Sequence, residues 1–85
     1  MKKRDTFLRL KEALEARGFK VFYERLISPS RRVLRRITAE RESSCLVIYH
    51  FRWCFEISLD GEFIYTGYRV LPLTSTLKII DRALK

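Results

Sequence analysis

The sequence predicts an α+β domain: a leading helix, an antiparallel sheet of three to four strands, and a closing helix, with the helices in a single layer on one sheet face. Three observations carry this reading. Apolar residues recur at helical spacing near both ends of the chain. Residues 45–59 alternate strictly between two sets over fifteen positions, the period of a half-buried strand. Asp60-Gly61 then supplies the strongest signal for a two-residue hairpin turn.

In the first element, Phe7, Leu10 and Leu14 fall at i, i+3 and i+7 with Ala13 beside them, which predicts a helix over about 6–17. Asp5 or Thr6 is placed to cap its start, and Asp5–Arg9 forms a favourable i, i+4 pair. Gly18 stands where a left-handed residue ends a helix, and Phe19 is then set to touch Leu14. From Phe19 to Ile27 the chain turns to Val, Phe, Tyr and Ile and reads as a strand, ended by Ser28-Pro29-Ser30.

Residues 31–41 carry two patterns. As a helix, Val33, Leu34 and Ile37 gather on one side, with Ser28 as cap and Pro29 in the first turn. As a strand, they place arginines on both faces and form a meander with their neighbours. The strand reading is preferred.

Cys45, Val47, Tyr49, Phe51, Phe55 and Ile57 belong to one alternating set, with Trp53 and Leu59 completing it. Fully extended, residues 45–59 would reach about 50 Å, against a radius of gyration near 12 Å for a domain this size. The segment must therefore bend, carry a bulge or split near His50–Arg52. Pairing outward from Asp60-Gly61 sets Leu59 against Glu62, Ile57 against Ile64, Phe55 against Thr66 and Trp53 against Tyr68. After Leu71-Pro72, Leu73, Leu77, Ile80 and Leu84 mark the closing helix, with Thr74 or Ser75 as cap.

Eighty-five residues allow one hydrophobic core, so residues 1–85 are read as a single domain, with 1–4 a disordered lead. The net charge is +8, and it is lopsided: residues 1–42 hold 13 basic and 6 acidic side chains, residues 43–85 only 5 and 4. A basic face of this kind attracts phosphate. Asn and Gln are absent and Met1 is the only methionine, a thermophile-like depletion of labile side chains. No stretch reaches the ~18 apolar residues of a membrane span, and charges interrupt any secretory pattern at the start. A reducing, cytoplasmic setting is expected from two isolated cysteines, Cys45 and Cys54, which lie nine positions apart and so point to opposite faces of an unbroken strand as separate buried thiols.

No Walker loop, G-x-G-x-x-G, G-x-S-x-G or H-E-x-x-H motif is present, and one histidine with two cysteines makes no metal framework; no cofactor or metal is expected. The leading candidate site is the arginine cluster Arg25, Arg31, Arg32, Arg35, Arg36 and Arg41, because guanidinium groups present planar forks of donors that suit phosphate. Phe63, Tyr65, Arg52 and Arg69, with His50 nearby, form a second candidate, aromatics interleaved with cations on a sheet. The function expected is that of a non-catalytic accessory protein binding DNA or RNA without sequence preference. A protein-interaction or homodimerisation module is the alternative. A metal-independent ribonuclease built on His50, Arg52 and Glu56 is a third reading, weakened because His50 and Glu56 stand about 20 Å apart on an extended strand.

Glu15-Ala16-Arg17-Gly18-Phe19-Lys20-Val21 resembles the helix-to-strand junction of several small nucleic-acid proteins, archaeal Holliday-junction resolvases among them. The resolvase pattern needs an Asp followed by Glu-x-Lys on adjacent strands, and Glu56-Ile57-Ser58 lacks the lysine. The order of helix, strands and helix resembles a double-stranded-RNA-binding domain, without that family's Lys-Lys-x-x-Lys start to the closing helix. The chain is assigned to neither.

Overall fold

A computed structural model describes residues 6–27, 29, 33–51 and 54–85. They form α1 (Thr6–Ala16), β1 (Lys20–Ile27), β2 (Val33–Arg41), β3 (Ser44–Phe51), β4 (Cys54–Leu59), β5 (Glu62–Gly67) and α2 (Leu73–Ala83). The strands make one antiparallel meander in the order β1-β2-β3-β4-β5. The α+β class agrees with the sequence; the sheet has five strands rather than three or four.

The extra strand arises where the alternating segment of residues 45–59 divides. β3 ends at Phe51, β4 begins at Cys54, and these two residues pair across the reversal. Of the three ways to shorten the segment, the chain takes the split, and the split changes the faces. Phe51 and Cys54 are three positions apart, so an unbroken strand would send them to opposite faces; as hairpin partners they share one. The parity of the pattern therefore reverses at the turn. Leu46 and Ile48 face the helices together with Phe55 and Ile57, and all four are fully buried. Cys45, Val47, Tyr49 and Phe51 lie on the other face, as does Cys54. The two cysteines thus share a face, and both are free and half-buried rather than buried.

A second departure from the expected register follows the Asp60-Gly61 turn. Leu59 pairs with Glu62 as expected, and Asp60 (φ 51°) and Gly61 (φ 89°) adopt the left-handed conformations of a tight hairpin. One residue further, Ile64 is inserted as a bulge, so Ile57 meets Tyr65 and Phe55 meets Gly67. This turns Tyr65 toward the helices, where its ring lies 6.2 Å from that of Phe55. A Cβ on Gly67 would overlap the Tyr65 ring, so glycine is what lets the tyrosine fold over this strand.

The helix-facing side holds one core: Phe7, Leu10 and Leu14 from α1, Ile80 from α2, and Ile37, Ala39, Leu46, Ile48, Phe55 and Ile57 from the sheet. α1 ends as its sequence predicts. Gly18 (φ 88°) donates to the Glu15 carbonyl at 3.0 Å and Phe19 to the Leu14 carbonyl at 3.1 Å, the paired bonds of a left-handed helix stop. The Asp5 cap and the Asp5–Arg9 pair lie outside the described residues. α2 starts after Pro72 with no side-chain cap, so neither Thr74 nor Ser75 plays that part; instead the buried Thr76 hydroxyl donates to the Pro72 carbonyl at 3.1 Å. Arg17 and Asp81 tie the two helices together through two contacts of 3.2 Å.

Candidate nucleic-acid interface

Antiparallel pairing brings residues distant in sequence into rows across the sheet. Arg25 stands opposite Arg35, and Arg35 opposite His50, so one row carries three nitrogenous side chains on the helix-facing side. Like charges placed directly opposite are ordinarily unfavourable in a sheet. Phe7 and His50 are among the neighbours that accommodate Arg35. Its guanidinium lies 4.8 Å from the Phe7 ring centroid, and its Nη2 is 3.0 Å from His50 Nδ1. Arginine can only donate, so that nitrogen accepts and His50 carries its proton on Nε2. The His50 ring is further held between Phe7 at 5.8 Å and Phe55 at 6.4 Å. Arg25 is exposed.

This row lies near one end of the sheet. Ile27, Val33, Phe51 and Cys54 stand at that end, and β5 also leaves the sheet there, at Gly67 beside Phe55. The exposed Arg69 follows two residues later. The first turn of α1 is at the same end, since Phe7 touches both Arg35 and His50; the positive end of the helix dipole adds to the field. Arg31, Arg32 and Arg52 lie outside the described residues. The opposite end of the sheet is acidic, with exposed Glu40, Glu42, Asp60 and Glu62 at or beside the two turns there.

The remaining candidates are placed differently. Arg36 faces the uncovered side of the sheet, where Nε and Nη2 donate to one Glu24 oxygen at 3.0 and 2.6 Å. These bonds, with a further one to Tyr49, push its pKa above the ordinary arginine value. Arg41 belongs to the acidic end: Nη1 donates to the Arg17 carbonyl at 2.9 Å and the guanidinium lies 4.5 Å from the Phe19 ring centroid, so it closes the end of α1. Tyr65 packs on Phe55 on the helix side, away from Phe63, which is exposed on the uncovered side. His50 and Glu56 lie on opposite faces of the sheet and form no joint acid–base pair.

The uncovered face is a unit that sequence patterning did not reveal. It carries Val47, Tyr49 and Phe51 along the central strand, flanked by Arg36 and Thr38 on β2 and by Cys54 and Glu56 on β4. The Cys54 thiol donates to Glu56 Oε1 at 2.9 Å, and that bond, more than burial, pushes the thiol pKa up. Two shallow hollows share this pair: one of about 480 Å³ reaches Thr66, Gly67 and Tyr68, and one of about 320 Å³ reaches Leu34, Tyr49 and Phe51. Among the described residues no three His, Cys, Asp or Glu side chains group as a metal site, and no helix is long and apolar enough to cross a membrane.

Comparison with protein-family models, with curated proteins and with solved structures gives no match.

Proposed function

We propose that this domain binds DNA or RNA without sequence preference through the basic end of its sheet, as an accessory protein that performs no chemistry of its own. The observation that carries the reading is the separation of charge along the strands. Arg25 and Arg35 stand side by side at one end near the start of α1, and Arg69 follows β5 at the same end on the opposite edge of the sheet, while Glu40, Glu42, Asp60 and Glu62 outnumber Lys20 and Arg41 at the other. A phosphate backbone is drawn to the first and repelled by the second, so the domain has a defined way to approach a polyanion. Arg35 is held in place by Phe7 and His50, and that order lowers the entropy lost when it grips a phosphate.

Fluorescence anisotropy with mixed-sequence RNA and DNA at several salt concentrations tests this. Changing Arg25 and Arg69 together to Ala weakens binding to every sequence, and the slope of log K on log salt falls by roughly 0.7 to 0.9 for each phosphate no longer neutralised. The pair Arg31 and Arg32, changed separately, follows the same rule. Lys20→Ala at the acidic end leaves the slope unaltered. A wild-type protein whose affinity does not depend on salt, or an Arg25/Arg69 variant that binds undiminished, overturns the proposal.

A further inference from the structure

We propose that the uncovered sheet face binds a second copy of this chain, face to face, about a two-fold axis that runs parallel to β3. The argument is the arrangement of side chains about the central strand. On this face β3 presents only Val47, Tyr49 and Phe51 beside Cys45, and no charge. In the row through Tyr49, β2 carries Arg36 on one side and β4 carries Glu56 on the other. In the next row, Thr38 and Ser58 flank Val47. Further out, Phe22 on β1 and Phe63 on β5 continue that row, 46% and 61% exposed.

A two-fold axis along β3 lays β2 over the partner's β4 and β1 over the partner's β5. Arg36 then meets the partner's Glu56, and by symmetry Glu56 meets the partner's Arg36. Tyr49 and Val47 meet their own copies, Thr38 meets the partner's Ser58, and Phe22 meets the partner's Phe63. In these rows apolar side chains meet apolar ones and Arg36, already bonded to Glu24 of its own chain, gains the partner's Glu56, while Glu24 meets the partner's Thr66; such matching about the axis is what a self-complementary interface requires. Within one protomer Arg36 and Glu56 are two strands apart, about 10 Å, too far for a direct bond. Strand directions are preserved by such an axis, as in sandwiches whose sheets pack within about 30° of alignment.

The area is sufficient. Five strands about 4.8 Å apart and about seven residues long make a face of roughly 24 by 23 Å, or about 500 Å². Two such faces bury about 1,000 Å², about what a biological interface must clear and below the roughly 1,200 Å² at which the standard, stable class begins. The same operation sets the basic ends of both protomers side by side, while the helices remain on the outside.

Sedimentation velocity on the intact chain tests the interface. The wild type is a dimer at micromolar concentration. Arg36→Glu places two acids against two in the homodimer, and Glu56→Arg places two cations against two; each weakens self-association at least about tenfold. Mixed in equal amounts, the two variants form a heterodimer, since every charge again faces its opposite. That recovery separates loss of the interface from loss of the fold, which circular dichroism of each variant also checks. A wild type that stays monomeric at high micromolar concentration, single variants that remain dimeric, or a mixture that remains monomeric each overturns the proposal.

Discussion

The two faces of the sheet are built from the same strands and differ in almost every physical respect. On the helix side, Ile37, Ala39, Leu46, Ile48 and Ile57 are fully buried beneath Phe7, Leu10, Leu14 and Ile80. On the other side the same strands present Thr38, Val47, Tyr49 and Ser58, half-buried by their neighbours alone. The polar groups are treated differently too. Arg35, on the helix side, stacks on an aromatic ring and binds an imidazole; its chain neighbour Arg36, on the open side, is paired with a half-exposed carboxylate. One face is finished within the monomer. The other is a surface on which pairs of adjacent residues report how much tertiary cover is worth.

Ile48 and Val47 give the largest contrast. Ile48→Ala removes a fully buried side chain from the centre of the core and is expected to cost about 2–5 kcal/mol, through lost burial and the cavity left behind. Val47→Ala, one residue away, is expected to cost under about 1 kcal/mol in dilute protein. Urea denaturation at submicromolar concentration measures both. Equal costs would mean that the open face is as tightly packed as the covered one.

Arg35 and Arg36 sharpen the comparison for charged groups. Arg35→Ala removes the stacking on Phe7 and the bond to His50 and is expected to destabilise by about 1–2 kcal/mol. Arg36→Ala breaks a partly exposed ion pair with Glu24, whose attraction solvent screens, and is expected to cost about 0.2–1 kcal/mol. The same denaturation curves decide it, and the order of the two values is the test.

The smallest effect is read by chemistry rather than by stability. The Cys54 thiol is stabilised in its protonated form by donating to Glu56, so its folded pKa lies above the ordinary thiol value. The sign follows: the bond contributes fully below the ordinary thiol range and is lost as pH rises through the raised value. Glu56→Gln removes the carboxylate and lets the pKa fall back, which increases the thiolate fraction. Alkylation of Cys54 by iodoacetamide at pH 8 to 9 is therefore faster in Glu56→Gln than in the wild type, followed by peptide mass spectrometry. An unchanged rate would remove Glu56 as the group that holds the proton.

The candidate site was partly legible in the sequence. Guanidinium groups are unmistakable as residue types, and their excess in residues 1–42 points to an anionic partner. Their division was not legible. Arg35 and Arg36 are adjacent in the chain yet serve opposite faces, and Arg41 is drawn to the far end by the carbonyl of Arg17 and the ring of Phe19. Arg25 and Arg35 become neighbours only through the β1–β2 register. Tyr65 left the open face because of a single-residue bulge, for which Ile64 carries no sequence signal.

The sequence by itself determined what depends on neighbouring residues: the two helices, the Gly18 stop, the Asp60-Gly61 hairpin and the need for residues 45–59 to break. Each rests on backbone sterics or on periodicity within a few positions, so the chain states it locally. Tertiary structure alone decided which alternating set became the core. In residues 45–51 both sets are apolar, Leu46 and Ile48 no less than Val47 and Tyr49, so hydrophobicity leaves the choice open. The reversal between Phe51 and Cys54 ties the face of β3 to that of β4, and in β4 the set fit for burial is Phe55, Ile57 and Leu59, since Glu56 and Ser58 lie between them. Pairing across the sheet thus supplied the constraint that the segment itself lacked, and it placed the arginines as it did so.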